Sequence, residues 1–118
     1  MRTVLLALPA LFFQAALADV NDQDTVCATI YTYLSESARA SGVSSMGFDT
    51  GASRAQDNHL VQNPGDDPQR YALRIIDGAQ SIRDGLARGT ISNDGLINTA
   101  TVCNNRYFAE NQQNSVVR

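Results

Sequence analysis

Few residues in this 118-residue chain can carry a reactive sulfur or shuttle a proton near neutral pH: one histidine, His59, and two cysteines, Cys27 and Cys103, beside twelve carboxylates. Any mechanism that routes a proton through imidazole must use His59. Its sequence neighbours do not complete a triad on a helix, because Asp57 would point elsewhere and Ser53 only roughly shares its side. No Gly-x-Ser-x-Gly elbow occurs, and the lack of a Cys-x-x-Cys pair argues against thioredoxin-type chemistry and covalent haem attachment. Two cysteines with one histidine are too few for a structural zinc site. Asn63, Asp66 and Asp67 supply oxygens, yet a calcium loop needs more ligands at regular spacing. Catalytic residues, metal ligands and cofactors are therefore all expected to be none.

The string Phe48-Asp49-Thr50-Gly51-Ala52-Ser53 resembles the active-site triplet of aspartic proteases, an apolar residue before Asp-Thr-Gly and a small one after it. The resemblance implies an all-β fold in which the triplet leaves a strongly apolar strand. Here Gly42-Val43-Ser44-Ser45-Met46-Gly47 precedes it, a poor strand, and the rest of the chain is patterned for helices. Asp49 reads instead as a helix cap with Gly51 in the first turn. A hydrolase using Asp49 or His59 is the enzymatic alternative this string leaves.

The elements that must position these residues are helical. Asp22 or Asp24 caps a first helix to about Ser41, with Val26, Cys27, Ile30, Tyr31, Leu34 and Ala38 inward at the three-to-four spacing of an amphipathic helix, and Gly42 ends it. A second, short helix capped by Asp49 would turn Ala52, Ala55, His59 and Leu60 inward. Asn63-Pro64-Gly65-Asp66-Asp67 breaks the chain. Asp67 and Pro68 then open a third helix whose inward stripe is Ala72, Ile75, Ile76, Ala79, Ile82 and Leu86, closed by Gly89. Gly78 and Gly85 share one side of it, a smooth strip against which a neighbouring helix can approach. Ser92 caps a fourth helix that repeats Leu96, Ala100, Cys103 and Tyr107, and 110–118 is expected to fray. The predicted fold is all-α, a small antiparallel bundle of three to four helices in one domain over 19–118.

The first eighteen residues have the form of a secretory signal peptide: Met1 and Arg2, an apolar run from Val4 to Leu17, then Ala16-Leu17-Ala18 before Asp19. That run is too short to span a bilayer, and no other window is apolar enough, so no membrane insertion of the mature chain is expected. The remaining hundred residues hold eight Arg, no Lys and twelve acids, a net charge of −4. This excludes a basic nucleic-acid binder, and the leader implies that the mature chain resides in a bacterial periplasm or outside the cell. In that oxidising setting Cys27 and Cys103 allow one intramolecular bridge, which joins the first and last helices of an up-down-up-down bundle. Closing so long a loop contributes on the order of 4 kcal/mol in the chain-entropy model.

These features favour a non-enzymatic exported protein that works by contact with another protein, an inhibitor or immunity-type neutraliser being one form. Candidate contacts are Tyr33 and Phe108, which helical spacing turns outward, and His59. An alternative is a periplasmic acid-stress chaperone. The layout (small, exported, helical, one Cys27–Cys103 bridge) is similar to that of the acid-activated HdeA-type proteins, although the stretch between the cysteines is much longer here.

Overall fold

The computed structural model describes residues 22–117, with side chains described as far as Phe108. The expected leader at 1–18 lies outside the described residues, as do the side chains of the closing stretch expected to fray. Regular structure among the described residues is helical throughout: α1 (Gln23–Ala40), α2 (Met46–Gln62), α3 (Pro68–Arg88) and α4 (Asn93–Val117). The segment 43–63, weakly patterned in the sequence, is thus mostly helix.

Local chemistry sets most boundaries. Asp22 caps α1, its carboxylate accepting from Thr25 N at 3.1 Å, and Gly42 follows the helix at a φ of 75° that only glycine adopts freely. Asp67 caps α3 by accepting from Arg70 N at 3.1 Å, with Pro68 in the first turn and Gly89 left-handed at the end. Ser92 Oγ accepts from Gly95 N at 2.9 Å where α4 begins. The start of α2 departs from expectation. The helix begins at Met46, so Asp49 lies within its first turn and caps nothing. The carboxylate has other partners: Ser35 Oγ of α1 donates to it at 2.5 Å, and Ser45 Oγ, just before α2, at 2.8 Å.

Cross-helix bonds give the directions. Asn58 reaches Asp24 and Ser35 reaches Asp49, so α2 runs against α1. Tyr71 meets Thr25 while Arg83 meets Glu36, so α3 runs with α1. Tyr31 bonds Asn104 and Cys27 bonds Cys103, so the middle of α4 lies against the first half of α1. The result is a four-helix bundle in which α1 packs against all three other helices. That position explains why the first half of α1 is buried nearly all round, from Asp24 to Tyr31.

The core comprises Val26, Ile30 and Tyr31 of α1, Ala52 and Ala55 of α2, Tyr71, Ile75 and Ile82 of α3, and Leu96 of α4, with Ile91 from the α3–α4 turn. Cys27 and Cys103 lie inside it, fully buried, their Cα atoms 5.6 Å apart. Two expectations need correction. Ile76 points outward, 53% exposed, because the stripe Tyr71, Ile75, Ala79 and Ile82 seats α3 on α1 and leaves the next residue round the helix uncovered. The strip at Gly85 is closed by the side chain of Ile91: a Cβ on Gly85 would stand 2.6 Å from Ile91 Cδ1. The close helix approach falls instead at Gly51, where a Cβ would lie 2.7 Å from the Tyr31 ring.

Candidate functional site

Chemistry-bearing side chains gather at the end of the bundle where α1 starts. His59, near the last turn of α2, is only 5% exposed. Its Nδ1 lies 2.6 Å from Asp22 Oδ2 and its Nε2 lies 2.6 Å from Asp66 Oδ2. The ring stacks on Tyr71, centroids 4.0 Å apart and planes within 4°, and Asn63 Nδ2 donates to the His59 carbonyl at 2.9 Å. Three segments meet on one imidazole: the cap of α1, the end of α2 and the turn before α3. With both nitrogens engaged, the ring has none left for a metal, a substrate or a nucleophilic hydroxyl.

Behind it lies Tyr71, whose hydroxyl is 3.0 Å from Thr25 Oγ1. Burial pushes the Tyr71 phenol up to about 12, the nearby Asp22 and Asp24 adding to the effect and the Thr25 bond opposing it. Arg74 lies over the Tyr71 ring at 5.3 Å.

Asp24, one residue into α1, is a second node. Its buried carboxylate accepts from Asn58 Nδ2 at 2.9 Å, from Arg106 Nε at 3.2 Å and from the Tyr107 hydroxyl. It therefore ties α1 to α2 and α4 at once, and a buried charge needs that company. Burial, and then the bond to Asp24, hold the Tyr107 phenol well above its ordinary value.

The Asp-Thr-Gly string forms a third node at the opposite end of the bundle. Asp49 lines an open groove of about 330 Å³ with Thr32, Ser35, Arg39, Ser53 and Asp57. Ser35 first, then Ser45, and also Arg39 hold its carboxyl below the ordinary value. His59 belongs to the other end, so the structure does not bring Asp49 and His59 together. Thr50 donates to the Met46 carbonyl along its own helix at 3.0 Å.

Phe108 and Tyr33 are half-buried. Phe108 packs edge-on against Tyr31 and carries Arg54 over its face at 4.8 Å, while Arg83 lies 6.0 Å over Tyr33. Phe108 also borders a notch of about 300 Å³ with Tyr31, Gly47, Phe48 and Asn104. Among the described residues no group of three or more His, Cys, Asp or Glu is arranged to hold a metal ion. No helix there is long and apolar enough to cross a membrane.

Sequence reasoning named His59, Asp66 and Asp22 separately and missed that they converge. It also missed Asp24, Arg106 and Tyr107 as a network. The only signal was the placement of Asp24 and Tyr107 near opposite ends of a disulfide-linked helix pair. No family model, no curated protein and no solved structure matches this chain.

Proposed function

We propose that this is a small exported protein, braced by its disulfide, that acts through contact with another protein, as an inhibitor or immunity-type neutraliser does. The observation that carries the reading is the pair Leu73 and Ile76, 61% and 53% exposed, one helical turn apart on α3. They face away from the stripe that seats α3 on α1. Neighbouring large apolar side chains left in water on a firmly seated helix suit a partner that covers them. The engagement of His59, Asp24 and Asp49 by partners from other segments of the bundle supports a structural rather than catalytic use of those residues. The disulfide supports export, since such bonds persist in oxidising compartments.

The test is recovery of a stoichiometric partner, by cross-linking, from periplasmic extract with the tagged mature chain and with its L73D/I76D variant. The wild type should retain one partner, and the variant should lose it with helicity and disulfide mass unchanged. A partner held equally by both forms, or no stoichiometric partner at any pH, contradicts the reading.

One observation favours the chaperone alternative: Asp22, Asp24 and Asp49 each tie α1 to another helix through a carboxylate, and acid removes that charge. Protection of an aggregating client at pH 2–4 and not at pH 7, followed by light scattering, would support it.

A further inference from the structure

The arrangement around His59 has a property that none of its members has alone. Two carboxylate oxygens stand 2.6 Å from the two ring nitrogens, the separation of charge-assisted hydrogen bonds. Only the imidazolium carries a proton on both nitrogens. A neutral ring donates to one carboxylate and turns a lone pair toward the other. The ring itself has nowhere to go: it is buried, stacked on Tyr71 and anchored through its own carbonyl by Asn63. The adjustment must therefore come from a carboxylate.

The two carboxylates are not equally free. Asp22 also caps α1, accepting from Thr25 N and from the Thr25 hydroxyl, and its side chain is 20% exposed. Asp66 lies in the turn between α2 and α3 with its side chain 38% exposed. We propose that His59 is a proton-operated latch that holds the α2–α3 turn onto the start of α1 through Asp66, and that loss of the ring proton releases Asp66 while Asp22 stays bound. The neighbouring residue Asp67 is the cap of α3, so the latch governs how the first turn of α3 is seated.

The charged and titratable groups around the ring come from each segment that packs there. They are Asp22 from α1, Asp66 from the turn, and Tyr71 from α3 with Arg74 over its ring. Asp24 faces Asn58 of α2 and Arg106 and Tyr107 of α4 instead of the imidazole. The latch is closed only while the ring is protonated and both carboxylates are not, so strong acid opens it from the other side. This device does not depend on the contact function proposed above.

The chain has a single histidine, which makes the experiment unambiguous. The ¹⁵N-labelled mature chain with its disulfide intact is titrated from pH 4 to 9, following the imidazole nitrogens by long-range ¹H–¹⁵N correlation together with the backbone amides. The expected result has three parts. Both nitrogens are protonated in the low-pH form of the ring, and the neutral form keeps its proton on Nδ1. The Gly65, Asp66 and Asp67 amides move with the same midpoint as the ring, and their exchange protection falls as it deprotonates. The Thr25 amide, held by the Asp22 cap, does not follow. Turn amides indifferent to the ring, a neutral form protonated on Nε2, or a Thr25 amide that moves in place of the turn would each overturn the proposal. In the D66N variant the amides at 65–67 should no longer track the imidazole; continued tracking also overturns it. The wild-type titration decides the question even where that variant fails to fold.

Discussion

Replacing Asp24 with asparagine would keep the outline of the side chain but remove the charge on which Asn58, Arg106 and Tyr107 converge. Hydrogen bonds to a charged group contribute more than neutral ones, and a lost partner leaves buried donors unsatisfied. The expected cost of D24N is about 2–3 kcal/mol in urea denaturation with an unchanged m-value, against almost none for D57N at an exposed position. Asp49 gives a different prediction, in pH. Its folded carboxyl titrates below the ordinary value of 3.8, chiefly through the bond from Ser35. The stability it contributes is thus fully present above that value and is lost as pH falls through the lower folded one. Thermal melts should therefore show D49N less stable than wild type at pH 6, with the gap closing toward pH 2. A constant gap contradicts the account. At this scale the sequence was only partly legible. Asp22 could be read as a cap from its place before a periodic run. Its second bond, to His59, could not, because that contact spans 37 residues and depends on how three segments meet.

Among the elements, α3 was the most legible: Asp67, Pro68 and Gly89 are where the structure has its ends. The error there was one residue round the helix, at Ile76. Periodicity marks the centre of an apolar stripe well and its width poorly, and α3 seats chiefly on a single neighbour. The consequence is measurable. Ile75→Ala should cost about 2–5 kcal/mol, as for other buried aliphatics, and Ile76→Ala should stay within about 0.5 kcal/mol. The start of α2 was misread because Ser44, Ser45 and Asp49 are all cap-forming types, and Asp49 is claimed by Ser35 of α1 as well as by Ser45 just before its own helix. Glycines separate two packing regimes. Gly51→Ala drives a methyl into the buried Tyr31 ring and should cost about 1–3 kcal/mol. Gly85→Ala meets the movable end of Ile91 and gains helix propensity worth about 1 kcal/mol, so it should be much the milder change in the same denaturation assay.

For the whole molecule, the class of fold and the joining of its ends followed from a short argument. Helix periodicity put Cys27 and Cys103 on inward seams, and antiparallel packing of the first and last helices put those seams together. The structure has both sulfurs bonded at the centre of the core. What the pattern did not convey is the centrality of α1, whose buried Thr25, Thr29 and Ser35 lie outside the apolar stripe read from the sequence. Thr29 bonds back to the Thr25 carbonyl and Ser35 to Asp49, so these polar groups enter the core satisfied. Removing the bridge with C27S/C103S should lower stability by about 3–5 kcal/mol. The contact function, the latch and the stabilities above all presuppose that α1 and α4 are covalently joined. The most direct check is a non-reducing tryptic map of exported protein, alkylated in urea without reductant. One linked pair is expected, joining the fragment that ends at Arg39 to the fragment 89–106, with neither cysteine alkylated. Uptake of two equivalents of the alkylating reagent under those conditions would contradict the account.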